Sequence, residues 1–138
     1  MLFRSLLDHG ADINILDNLG RSALEYATGA LNWSKTSKAE QVVKLIIKAG
    51  ADVNVKSTLG YTPLMWAARA GNLKITKLLI EKGANVDDTD NDGNNALHYA
   101  RNPSTKHDSR VRQNRQATMR LLRKHGGKTG EELKAEGK

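Results

Sequence analysis

Glycines at regular intervals divide the chain into near-copies of one short unit, and a unit of that size cannot bury both of its faces alone. Glycine closes a Leu/Ile-rich stretch at Gly10, Gly50, Gly83 and Gly126, while Gly20, Gly60 and Gly93 stand before an Ala-Leu or Pro-Leu pair. Gly60 and Gly93 are 33 residues apart. The stretch between them, GYTPLMWAARAGNLKITKLLIEKG, shows the unit best. The Thr62 hydroxyl can cap a helix that Pro63 starts, since proline lacks only an N–H that the first turn leaves unpaired. Leu64, Ala67 and Ala68 follow at helical spacing and form one small apolar face. Gly71 and Asn72 break the chain, Ile75, Leu78 and Leu79 repeat the spacing on a second helix, and Gly83 ends it where positive φ is cheap. Stacking of such pairs is the way to a continuous core, and 138 residues suffice for three pairs and a half.

The spacing and the segments GYTPLMWAARAGN and EKGANVDDTDNDG resemble the ankyrin-repeat pattern, with Met65 where that family usually has histidine. The flanking copies are less similar: RSALEYAT lacks the Thr-Pro pair, and NNALHYA keeps a histidine, His98, without the proline. The resemblance implies an all-α repeat solenoid of helix-turn-helix repeats joined by hairpin-like loops. Its expected parts are a half repeat at 1–16, repeats at 17–56, 57–89 and 90–127, and a polar tail or cap at 128–138. In that tail Thr129 and Glu132 have the spacing of a capping box. GGKTGEELKAEGK also resembles the ending of some bacterial ankyrin-repeat proteins, which points to a bacterial source.

What the family resemblance implies about function is recognition of a protein partner on the concave face, made by hairpin tips and first helices, with no catalysis. The matching tips are Leu16, Asn18, Leu19 and Arg21, then Lys56, Thr58, Leu59 and Tyr61, then Thr89, Asn91, Asp92 and Asn94, joined by Arg69 from a first helix. Leu19, Leu59 and Tyr61 are the apolar anchors, with packing between hairpins as the other reading of the two leucines. Trp66 is assigned to the core. The same resemblance implies that His98 forms loop-stabilising hydrogen bonds.

Two repeats carry insertions between their helices, within 28–39 and within 102–116. In the later one Asp108 or Ser109 can cap a lengthened second helix running to Lys124. Both insertions project from one edge of the stack. Trp33, Lys35 and Lys38 with Lys106, Arg110 and Arg112 would then form a basic, aromatic-bearing ledge for an acidic partner, with Trp33 folding back on Leu31 and the helix ends as its other reading. Charge supports a second site in this part of the chain. Residues 1–100 hold 11 basic and 11 acidic side chains, whereas 101–138 hold 11 and 4, so the net charge of +7 sits in the last segment. A basic segment at 101–124, rich in arginine (Arg115, Arg120 and Arg123 among them), reads as a solvated basic face or as a site that attracts an acidic protein or nucleic acid. No aromatic side chain is interleaved with those bases for stacking on single strands.

Other functions find little support. Cysteine is absent, so disulfide frameworks and thiol chemistry are excluded. No apolar run approaches membrane-spanning length and the start lacks the features of a signal peptide, which leads to the expectation of a cytoplasmic protein. The four histidines have no nucleophile pattern or zinc spacing around them. Asp88, Asp90, Asp92 and Gly93 match the first positions of a calcium loop, but its closing glutamate would be Tyr99. No cofactor and no metal are expected. MLFRSLLDH reads as a second helix without its first, which suggests the end of a longer repeat array, a divergent cap or a docking patch. The protein is expected to be a monomer unless that apolar end self-associates.

Overall fold

The computed structural model describes residues 10–32, 37–102 and 109–137, with the backbone alone at 109–111. Seven helices are present among these residues: α1 Ala23–Ala30, α2 Ser37–Lys48, α3 Pro63–Ala70, α4 Leu73–Glu81, α5 Ala96–Arg101, α6 Ser109–Lys124 and α7 Gly130–Ala135. The first helices α1, α3 and α5 pack side by side, each carries its own second helix behind it, and α4 touches both α2 and α6. This is the all-α repeat solenoid that the glycine spacing and the family resemblance predict.

Each first helix begins on a side-chain cap. Ser22 Oγ accepts from Glu25 N at 3.2 Å, Thr62 Oγ1 from Met65 N at 3.3 Å, and Asn95 Oδ1 from His98 N at 3.1 Å. Gly71 ends α3 in the left-handed region, and the Asn72 side chain then caps α4 by accepting from Ile75 N at 3.0 Å. Leu24, Leu64 and Leu97, at the same position of successive repeats, are buried with Val43, Ile75, Leu79 and Leu122 behind them. Met65, in the position of the family's histidine, is simply core, at 1% exposure.

Hydrogen bonds carry the repeats from one to the next along the hairpins. Asn14 Oδ1 accepts from Asp52 N at 2.7 Å, Asn54 Oδ1 from Asn85 N at 2.8 Å, and Asp87 Oδ1 from Lys128 N at 3.1 Å. At the tips Thr58 N donates to Leu19 O at 2.9 Å and Asn91 N to Leu59 O at 3.0 Å. The ladder fixes the rise between hairpins and holds the tips in one row.

The insertions differ in part from expectation. The earlier one is read as a polar loop within 28–39; Thr28, Gly29 and Ala30 belong to α1, and Ser37, Lys38 and Ala39 open a 12-residue α2, against 9 residues in α4. Lys38, Ala39 and Glu40 have no proline or glycine to prevent helix formation. The later insertion mostly lengthens α6, which has 16 residues and ends at Lys124. At the chain's end the capping box forms in full, with Thr129 N donating to Glu132 Oε2 at 2.6 Å and Glu132 N to Thr129 Oγ1 at 3.2 Å. It starts α7, whose Leu133 is buried.

Candidate partner-binding surface

The three tips are built by one device, a turn closed by a polar side chain. Asp17 accepts from Leu19 N and Arg21 N, each at 2.9 Å, and Asp90 accepts from Asp92 N and Asn94 N, each at 2.9 Å. Ser57 does less of the same work, taking Tyr61 N at 3.2 Å. The two aspartates are also tied to the first helix that follows. Tyr26 OH donates to Asp17 Oδ2 at 2.5 Å, and Tyr99 OH donates to Asp90 Oδ2. The Tyr26 hydroxyl, with the Arg21 backbone N–H, holds the Asp17 carboxyl well below the usual carboxylate range. Burial first, and then the bond to Asp90, pushes the Tyr99 phenol up. Asp88 is held by Lys56 at 3.3 Å and by Asn85 Nδ2 at 3.2 Å, so the acidic run serves hairpin geometry.

On this frame the tip side chains separate into exposed and structural sets. Leu19 and Leu59 are 51% and 61% exposed, so they do not pack between hairpins. Thr58, Asn91 and Asp92 are exposed beside them, although Asn91 Nδ2 also donates to Thr58 O at 2.9 Å. Tyr61 is half-buried, with its ring 5.1 Å from Trp66 and 5.8 Å from Tyr99. Arg21 is ion-paired to Asp17 at 2.9 Å and lies over the Tyr26 ring at 4.6 Å, while Arg69 lies 5.8 Å from the Trp66 ring. Asn94 is half-buried, with its backbone N–H taken by Asp90. The His98 ring meets Asn102 Nδ2 at 3.3 Å, a contact at the far end of its own helix rather than at the hairpin.

Trp66 corrects the core assignment. It is half-buried on the first-helix side, where its ring and Tyr26 flank a cavity of about 320 Å³ lined also by Arg21, Glu25, Gly29 and Ala30. Its Nε1 donates to Glu25 Oε1 at 3.2 Å across the repeat boundary. Sequence reasoning missed Glu25. It follows Ser22 at the spacing of a capping box, which reads as a surface carboxylate turned back on its own helix end. Lining up RSALEYA with YTPLMWA and NNALHYA places Glu25 at the position of Met65 and His98, an inward one, and that was the available signal.

Burial raises the Glu25 carboxyl above its ordinary value of 4.5, against the pull of the Trp66 indole N–H, the Arg21 charge and the Ser57 hydroxyl, with Asp17 adding to the rise. The folded state therefore holds this proton more tightly than the unfolded chain. The stability it contributes is full below about pH 4.5 and is lost as pH rises through the raised folded value. Urea titrations of the wild type and Glu25→Gln at a series of pH values from acid to neutral should show the variant gaining on the wild type as pH rises. Parallel curves would show a carboxyl that folding leaves alone.

Of the ledge, Trp33, Lys35 and Lys106 lie outside the described residues, as do residues 1–9 of the half repeat at 1–16, and Arg110 is described in backbone only. Arg112 is exposed on α6. Arg115 is structural in part: its Nε donates to Ala100 O at 3.0 Å and its Nη2 to Arg101 O at 2.8 Å, which satisfies carbonyls at the end of α5. Among the described residues no group of three or more His, Cys, Asp or Glu side chains could hold a metal ion, and no helix is long and apolar enough to cross a membrane.

Comparison with known proteins agrees with this geometry. Residues 31–128 match the family model of ankyrin repeats, in three copies. The chain is similar to an ankyrin repeat protein of Rickettsia felis, at 40% identity over 74 residues, 54% of this chain and 32% of that protein. It is similar to the phosphocholine transferase AnkX of Legionella pneumophila at 42% identity over 59 residues, 42% of this chain and 6% of that protein. With the human neurogenic locus notch homolog protein 2 it shares 36% identity over 98 residues, 70% of this chain and 4% of that protein. The chain thus spans a third or less of the length of these relatives, and the enzyme name of one of them belongs to a protein of which it matches 6%.

Proposed function

Because the chain belongs to the ankyrin-repeat family, whose repeats are generally non-enzymatic protein–protein interaction modules, we propose that it binds a protein partner through the concave face of its hairpin tips and first helices. The observation that carries this reading is a set of exposed and half-buried apolar and aromatic groups on the tips and first helices. Leu19 and Leu59 are exposed on successive tips, Tyr26 is 52% exposed on α1, and the half-buried Tyr61 and Trp66 rings pack together at 5.1 Å. Rigid aromatic side chains next to exposed leucines give contact area at low entropic cost, which is where binding energy concentrates. Arg21, Lys56, Thr58, Arg69, Asn91, Asp92 and Asn94 form the polar surround.

The test needs a partner isolated by affinity capture after nuclease treatment and a high-salt wash. Leu19→Asp combined with Leu59→Asp should weaken that complex about tenfold or more. Val42→Asp, at an apolar side chain 48% exposed on α2 behind the stack, should leave it unchanged. Equal losses from both would place the site elsewhere.

A second reading has its own observation. Arg101, Arg120 and Arg123 line a cavity of about 280 Å³ between α5 and α6 with Leu97, Gln116 and Met119. An acidic protein or nucleic acid bound by segment 101–124 would be released steeply by salt, which the same capture distinguishes.

A further inference from the structure

From the cavity between Tyr26 and Trp66 we infer a subsite for a single basic side chain, lysine or arginine, of the protein partner. The inference rests on the concave-face reading and deepens it. Glu25 is 3% exposed, and its Oε2 makes no hydrogen bond and has almost no access to solvent. A buried carboxylate oxygen without a donor is a costly arrangement, and proteins keep few of them. Here the cost falls beside a cavity of about 320 Å³ that Glu25 itself lines.

The walls favour a cation over a neutral donor. Tyr26 and Trp66 line the cavity, and rings attract a cation that has given up its water, as Arg21 over the Tyr26 ring at 4.6 Å and Arg69 at 5.8 Å from the Trp66 ring already illustrate. Arg21, which lines the cavity, is already paired with Asp17 at 2.9 Å. Gly29 lines the cavity without a side chain, and a Cβ there would stand 4.0 Å from Trp66 Cδ2 and take up some of its space. The last torsion of a glutamate side chain is broad and roughly two-fold, so a small turn presents Oε2 to an entering ammonium or guanidinium while Oε1 keeps its indole partner. Binding then supplies the donor that the free protein lacks, as a charge-assisted hydrogen bond.

The test requires no natural partner. The Trp66 indole N–H resonance, separated from that of Trp33 with a Trp33→Phe variant, is followed by NMR as the protein is titrated with N-acetyl-lysine methylamide, N-acetyl-arginine methylamide and N-acetyl-norleucine methylamide. The two basic amides should shift it saturably, with affinities on the order of millimolar, and the norleucine amide should not. Glu25→Gln should weaken the basic amides at least about fivefold. Gly29→Ala, a change that favours the helix, should weaken them by taking up space in the cavity. The inference is overturned if norleucine binds as well as lysine, if Glu25→Gln leaves the affinity unchanged in a protein with dispersed native resonances, or if no amide shifts the indole. Any of these failures leaves the concave-face reading standing, because that depends on Leu19 and Leu59, which the amides do not touch.

Discussion

Replacing Gly60 with alanine is expected to cost roughly 3 kcal/mol or more, whereas the same change at Gly93 should cost about 1–2 kcal/mol. Both glycines sit in the left-handed region, with φ of 82° and 80°, so the backbone penalty of a Cβ is shared. Their surroundings are different. A Cβ on Gly93 meets nothing within 4 Å, but one on Gly60 would lie 2.8 Å from Asp90 Cα and 2.9 Å from Asn91 N. Those are backbone atoms of the next hairpin, and they cannot rotate away as a side chain can. The hairpin must move, and its movement stretches the bond from Asn91 N to Leu59 O, now 3.0 Å, and the bond from Asn91 Nδ2 to Thr58 O, now 2.9 Å. Two strained hydrogen bonds at about 1 kcal/mol each separate the two variants. Urea denaturation followed by circular dichroism measures the difference, and equal losses would mean that the hairpins are not in contact through Gly60.

The same residues show what the sequence makes legible. A repeat fold declares itself through positions with few chemical solutions: glycine where φ is positive, threonine before proline at a helix start, the Thr129–Glu132 pair at the last one. Each depends on neighbours within four residues, and each forms as expected. The exposure of Leu19 and Leu59 depends on how far apart the tips stand, which the sequence leaves open between two readings. Trp66 was misassigned for a related reason. Its side of α3 is settled by Glu25, 41 residues away, whose carboxylate takes the indole N–H. Ser37, Lys38 and Ala39 fall in the insertion when the repeats are compared by length, although nothing in their own propensities opposes a helix. Arg115 likewise looks like one more charge on a basic face until the carbonyls of Ala100 and Arg101 are seen to hold it. Local chemistry is readable along the chain, and contacts between repeats are readable only where the repeats can be aligned.

Leu64→Ala and Leu59→Ala should separate packing from recognition within five residues of one repeat. Leu64 is 1% exposed on α3, which packs against α1 on one side and α5 on the other, as well as against its own α4. Its truncation leaves a cavity where the stack is coupled in both directions, and a loss of about 3 kcal/mol is expected. Stability in a repeat array is the sum of unit terms and nearest-neighbour terms. Weakening the central unit therefore also loosens the outer ones from each other, so the urea transition should broaden as well as move to lower concentration. Leu59, at 61% exposure, contributes little that unfolding would take away. Its truncation should change stability by less than about 0.5 kcal/mol while weakening a concave-face complex by about 1 kcal/mol or more, a factor of roughly five or above. The backbone bond from Asn91 N to Leu59 O survives the change, so the tip keeps its place and only its side chain is lost. If Leu59→Ala instead unfolds the protein as Leu64→Ala does, the tip is a packing element despite its exposure, and the concave face loses the anchor on which the functional reading depends.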